Sequence, residues 1–141
     1  MENNMDNNNI DMITPENHPD LTSAEPLEIA KVLVHVLDMK KGRDIKLLHV
    51  SDKTIIADYF VICGGTSNTG IKALAGEAEY KLGLCGVEVR HMDGYSEGEW
   101  IAVDFGSVIL HVMNRDSREF YKLEKLWADA ENVDISDILV K

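Results

Sequence analysis

The chain has 141 residues, with 14 basic and 25 acidic side chains and a formal net charge of −11. That length favours one domain, no apolar run approaches the ~20 residues of a bilayer span, and two cysteines, Cys63 and Cys85, are too few for a disulfide framework. With no basic-then-apolar leader, these features predict a soluble cytoplasmic domain, and the acidity argues against gripping nucleic acid by phosphate neutralisation.

Residues 1–26 hold six acids and no base, so 19 acids against 14 bases remain and the rest of the chain is only −5. Residues 1–24 are rich in Asn and contain two of the three prolines. They have too little apolar surface to offset an ordering entropy of roughly 1–2 kcal/mol per residue. Residues 1–24 therefore read as a disordered acidic tail, with Ile10, Met12 and Ile13 leaving room for a short docking motif, and residues 25–141 as the folded domain. A first helix starts where Thr22 and Glu25 have capping-box spacing and Pro26 suits a first turn; Leu27, Ala30, Leu33 and Leu37 then follow a 3.6-residue period until Gly42. Asp44 to Val50 forms a half-alternating strand. Asp58 to Cys63 is nearly all apolar, as in a strand covered on both faces. Gly64-Gly65-Thr66-Ser67 turns the chain into a second helix with Ile71, Leu74, Ala75, Ala78 and Leu82 on one stripe, closed by Gly83 and Gly86. Strands at Val87–Met92, Trp100–Phe105 and Val108–Met113 follow. Ser117 caps a third helix with Phe120, Leu123, Trp127 and Ala130 on its buried stripe. The order is α-β-β-α-β-β-β-α, a mixed five-stranded sheet with helices packed on it.

The hairpin expected at Gly106-Ser107 fixes which side chains share a sheet face. A two-residue turn pairs Asp104 with Ile109, Ala102 with His111 and Trp100 with Met113. One face is then Ile101, Val103, Phe105, Val108, Leu110 and Val112, wholly apolar, and belongs under the helices. The other mixes Trp100, Ala102, Asp104, Ile109, His111 and Met113. Its aromatic, thioether and polar groups suit a recognition surface, or else a half-covered sheet face with a satisfied His and Asp.

Catalytic patterns are present only in outline. Gly94-Tyr-Ser96-Glu-Gly98 matches the nucleophile-elbow string, with Asp104 and His111 following in order, but it links two strands where an elbow needs a strand turning into a helix. Gly65 and Gly70 have near P-loop spacing, yet Ile71 stands where Lys is required and Lys72 where Ser or Thr would hold magnesium. The Gly64–Ser67 turn at a helix start can offer backbone N–H groups to phosphate. A nucleotidyltransferase, however, also needs paired carboxylates on one face. Glu77 and Glu79 are separated by ~200° on a helix, and Asp104 has none beside it. Cys63, Cys85, His91 and His111 lack the paired spacings of zinc sites. The sequence therefore predicts no catalytic residue, no metal and no cofactor.

Asp58-Tyr-Phe-Val-Ile, Gly65-Thr-Ser67, Trp100-Ile-Ala-Val-Asp104-Phe-Gly106, His111-Val and Arg118-Glu-Phe-Tyr121-Lys-Leu-Glu124-Lys-Leu-Trp127 together resemble the Iojap family of ribosomal silencing factors, over roughly Leu27 to Ala130. The resemblance implies an α/β fold related to nucleotidyltransferases without their active site. It also implies a non-enzymatic role: binding the large ribosomal subunit at a β-barrel ribosomal protein on its intersubunit face, blocking the small subunit and repressing translation under nutrient limitation. Trp100, Phe105, Asp104, His111 and Met113 fall in or beside the signature stretch and are the expected partner-binding residues. Trp100 serves as aromatic anchor, and Asp104 and His111 as polar contacts or hairpin braces. The family includes homodimers, so the mixed sheet face is open to a second copy as well. Neither membrane contact nor sequence-specific nucleic-acid binding is expected. Thr69-Gly70, where the family usually has a basic and polar pair, and Asp93-Gly94, where it has Glu-Gly, depart from the pattern. A nucleotide- or phosphate-binding enzyme using the Gly64–Ser67 turn is the alternative.

Overall fold

The structure is a computed structural model and describes residues 13–140. Its elements in chain order are α1 (Pro26–Met39), β1 (Arg43–His49), β2 (Tyr59–Gly65), α2 (Asn68–Leu84), β3 (His91–Asp93), β4 (Trp100–Asp104), β5 (Val108–Asn114), α3 (Arg115–Tyr121), α4 (Leu123–Leu126) and β6 (Glu131–Asn132). The strands form one mixed sheet in the order β3-β4-β5-β2-β1-β6. All neighbours are antiparallel except β2 and β5, which run parallel from Tyr59↔Val108 to Gly65↔Asn114. The sheet has six strands rather than five because Glu131 and Asn132 pair with His49 and Leu48 at the β1 edge. A two-residue strand has no periodicity to betray it.

β2 lies at the centre, its five middle residues buried on both faces, which accounts for its unbroken apolar run. One face of the sheet carries α1 and α2. The predicted α2 stripe of Ile71, Leu74, Ala75, Ala78 and Leu82 is buried there, against Ile101, Val103, Val108, Leu110 and Val112 from the hairpin. The predicted register holds: Asp104↔Ile109, Ala102↔His111 and Trp100↔Met113. The turn closes with the Phe105 amide donating to the Val108 carbonyl at 2.9 Å, and Gly106 sits at φ +101°, a conformation that side chains with a Cβ disfavour.

Several boundaries depart from expectation. Thr22 does not cap α1: its amide and hydroxyl both donate to Asp20, while Glu25 occupies the cap position and Pro26 opens the helix. Lys41, at φ 68°, takes the left-handed turn that ends α1. Gly42 is needed for another reason, because a Cβ there would overlap Cys63 Sγ. The strand expected at Val87–Met92 shortens to His91–Asp93, with the Arg90 amide bonded to the Asp104 carbonyl at its start. The third helix is capped by Asn114, whose side chain accepts from the Ser117 amide, and it breaks at Lys122, which is left-handed at φ 50°. That break rotates the stripe, so Leu123 and Ala130 are buried, Trp127 is half-buried, and Phe120 is exposed rather than packed.

In the stretch read as an acidic tail, residues 1–12, with Ile10 and Met12, lie outside the described residues. Ile13 and Leu21 are buried in the core. The Leu21 amide donates to the Cys85 carbonyl, and Thr22 sits where a Cβ on Gly86 would have to go. From the other end, Ile135 joins the same core and the Val140 amide donates to Asp38. These two segments flank α1, which explains why Val32, His35 and Val36 are buried outside its predicted stripe. No described helix is long and apolar enough to cross a membrane.

Candidate functional site

The second sheet face is covered over only part of its width. Leu123 and Ala130 from the C-terminal segment pack on Leu48, Val50, Phe60, Ile62 and Met113, with Trp127 against them. Toward β4 and β3 that cover stops. There Trp100, Ala102, Asp104 and Ile109 are partly exposed on alternate positions of β4 and β5, as strand geometry requires, with His111 among them mostly covered. A groove of about 290 Å³ runs along all of these except Trp100, bounded by Ile56, His91, Asp93 and Trp127. Ile56 at its edge is exposed, and on the other side of Trp100 the exposed Tyr121 packs on the indole with exposed Phe120 against it.

The centre of this face is a locked aromatic group. Trp100 Nε1–H donates to His111 Nδ1 at 3.0 Å. The His111 ring meets Phe60 edge-on at 5.1 Å between centroids, and Phe60 meets Trp127 the same way at 5.1 Å. Tyr121 lies 4.7 Å from Trp100. Because Nδ1 accepts, the proton of neutral His111 sits on Nε2, which is buried without a hydrogen-bond partner among the described residues. Burial pushes the imidazole pKa down to about 4, so His111 is neutral at physiological pH and holds Trp100 by a neutral hydrogen bond.

The remaining expected residues divide by role. Asp104 Oδ1 accepts the Gly106 amide at 2.7 Å and thereby braces the hairpin turn. Phe105, 5% exposed, follows its strand parity into the first-face core, and Met113 is fully buried under the C-terminal segment. Trp100, Asp104 and His111 thus share an accessible face, whereas Phe105 and Met113 support it from inside. The pattern that suggested a hydrolase is dispersed. Ser96 donates to Glu97, Asp104 serves the turn, and the His111 nitrogen that accepts is taken by Trp100. At the Gly64–Ser67 turn, Ser67 Oγ accepts the Gly70 amide at 2.9 Å and caps α2.

Sequence reasoning missed Arg118. Its guanidinium donates to the carbonyls of Arg43 (3.3 Å) and Asp44 (2.6 Å) and to Glu124 (2.8 Å from Nε), so it pins α3 and the following turn to the start of β1. Burial works to raise the Glu124 pKa, but its hydrogen bonds, the Arg118 contact foremost, outweigh that and lower it. The partners lie some 75 residues apart in the chain and Glu124 is six residues away, a spacing that carries no helical signal.

Residues 23–141 match the family model described as "Ribosomal silencing factor during starvation". The chain is 38% identical to the ribosomal silencing factor of Bacillus subtilis over 107 residues, covering 76% of this chain and 91% of that one. It is 36% identical over 99 residues to the mouse protein named for mitochondrial assembly of the ribosomal large subunit, covering 68% of this chain and 43% of the mouse protein. A crystal structure of a protein from Chromobacterium violaceum superposes with a TM-score of 0.72 at 38% identity, over 74% of this chain and 87% of that one.

Proposed function

The chain belongs to the ribosomal silencing factor family, and on that premise we propose that it binds the large ribosomal subunit through a ribosomal protein on the intersubunit face and blocks joining of the small subunit. The observation that carries this reading is the open stretch of the second sheet face. A rigid tryptophan, fixed by His111 and backed by Phe60 and Trp127, stands among half-exposed and exposed apolar groups. Such an arrangement suits a protein partner: an aromatic anchor already held in place loses little rotamer entropy on binding, and polar Asp104 and His91 lie at the margin. The chain's acidity complements a basic ribosomal protein and steers encounter with it. Blocking needs no chemistry. A body with a radius of gyration of ~14 Å seated on a joining surface excludes the other subunit by volume. The relatives' names agree with a ribosomal role, including that of the mouse protein, which refers to the large subunit. Repression of translation when nutrients are scarce follows as the physiological reading, as does a cytoplasmic site of action.

The test is sedimentation of the full chain with isolated subunits, which are then recombined. The expected result is cosedimentation with the large subunit and fewer joined ribosomes, both weakened about tenfold or more in Trp100→Ala. Circular dichroism controls for folding of the variant, since Trp100 is only half-buried. A chain that stays at the top of the gradient and leaves joining untouched at saturation would overturn the proposal.

A further inference from the structure

A crevice of about 630 Å³ opens beyond the carboxyl ends of the two parallel strands, β2 and β5, on the side away from the Trp100 face's hairpin turn. Gly64, Gly65 and Thr66, at the end of β2, line it, the two glycines with backbone alone. Five cations line it, Arg43, Arg115, Arg118, Lys122 and Lys125, with three carboxylates, Asp44, Glu119 and Glu124. That local excess of positive charge lies within a chain of net charge −11.

Pairing sharpens the imbalance. Glu124 is committed to Arg118 at 2.7 Å and Glu119 to Lys122 at 3.1 Å. Arg118 spends its other donors on the Arg43 and Asp44 carbonyls, and so forms a wall of the crevice. The side chains of Arg43, Arg115 and Lys125 make no ion pair or hydrogen bond among the described residues, and all three are exposed. Three uncommitted cations therefore face one uncommitted carboxylate, Asp44, around a concavity of the size that holds small ligands. Gly64 keeps this geometry open, because a Cβ there would meet the Arg118 guanidinium at 3.2 Å. In open sheets the space beyond the carboxyl ends of parallel strands is where ligands bind.

We propose that this crevice binds the phosphate chain of a small polyphosphate, held by Arg115, Lys125 and Arg43. The chemistry is shared by a nucleoside triphosphate and by inorganic tripolyphosphate. Guanidinium groups match phosphate oxygens bidentately, and the ammonium adds a point charge. A compact ligand suits the site better than a nucleic-acid strand does. The cations converge on a concavity instead of forming a stripe, no aromatic side chain lines it for base stacking, and a long polyanion would also meet the acidic remainder of the chain. No ribosomal contact is invoked, so this inference stands or falls separately from the function proposed above.

The experiment is calorimetric titration of the full chain with tripolyphosphate and, separately, with ATP. Arg115→Gln/Lys125→Gln is compared with Lys31→Gln/Lys41→Gln, which removes equal charge from exposed positions outside the crevice. Saturable binding of tripolyphosphate is expected, weakened about tenfold or more by the first pair and less than about twofold by the second. ATP equal to tripolyphosphate would identify the phosphate chain itself as the ligand. ATP alone binding, with the same sensitivity to Arg115 and Lys125, would identify a nucleotide. Circular dichroism of both pairs guards against loss of fold. The proposal is overturned by no saturable binding of either compound at millimolar concentration, or by equal weakening in the two pairs. It is also overturned if a short RNA titrates through Arg115 and Lys125 where both polyphosphates fail.

Discussion

Acidification from pH 7 to 5 should destabilise the protein through His111, and the effect can be sized from its surroundings. The imidazole is buried between Phe60 and Trp100, its Nδ1 occupied by the indole N–H, and burial lowers its pKa from 6.5 to about 4. Below pH 6.5 the unfolded chain takes up a proton at this position while the folded chain refuses it. Stability is thus intact above the unfolded value and is lost as pH falls toward the folded one. The full gap corresponds to about 3 kcal/mol, of which about 2 kcal/mol is gone by pH ~5. Asp104, Asp93 and His91 border the same groove, so the slope must be isolated by comparison. His111→Gln does this, since its amide oxygen can still accept from Trp100 while carrying no titrating proton. Urea denaturation followed by tryptophan fluorescence at pH 7, 6 and 5 should show the wild-type free energy falling about 2 kcal/mol further than that of His111→Gln. Parallel curves for the two proteins across that range would show that His111 is not held neutral by its site, and the reasoning would fail.

Other consequences are equally open to measurement. Gly42→Ala places a methyl group on Cys63 Sγ and should destabilise by about 1–3 kcal/mol. Most of that loss should return in the Gly42→Ala/Cys63→Ala double variant, and a double-mutant cycle on thermal unfolding reads the coupling. Arg118→Ala leaves Glu124 and two carbonyls without their donor and should cost about 2–3 kcal/mol in denaturant unfolding. Burial pushes the Cys63 thiol up to about 12, so iodoacetamide should label it only under denaturing conditions, a difference visible by mass spectrometry. Asp104→Ala removes the 2.7 Å acceptor of the Gly106 amide and should lower stability by about 1 kcal/mol.

What could be read from the chain beforehand follows from the range of the interactions involved. The β4–β5 register was legible because Gly106-Ser107 fixes it locally and alternation does the rest; the burial of every predicted first-face residue of that hairpin reflects this. The burial of β2 on both faces was legible from composition alone. Phe120 was misplaced because one left-handed residue, Lys122, interrupts a period that continues on paper. Thr22 was misassigned because Asp20, two residues away, competes for the same hydroxyl and amide. At the candidate site, strand alternation puts Trp100 and His111 on the same face, but their hydrogen bond depends on rotamers that no pattern encodes. Phe105 is buried, as strand alternation predicts, although its place in the signature stretch puts it among the expected partner contacts. Met113 shares the Trp100 face, yet it disappears beneath Leu123 and Ala130, which arrive from a segment whose path depends on Arg118.

The seam between β2 and β5 has a consequence for how the molecule reaches its native state. The sheet is largely two antiparallel hairpins, β1–β2 and β4–β5, each formed by near neighbours in the chain. Within the sheet they meet where Tyr59 to Gly65 runs beside Val108 to Asn114, about fifty residues later. Either hairpin can form in microseconds, but the seam must close a loop containing all of α2, and that entropy is spent before the parallel ladder returns anything. The joining of preformed halves is then the slow step. Substitutions that weaken Val61, Ile62 or Leu110 should slow refolding, while those at Ile13 or Ile135, on the flanks of α1, should chiefly hasten unfolding.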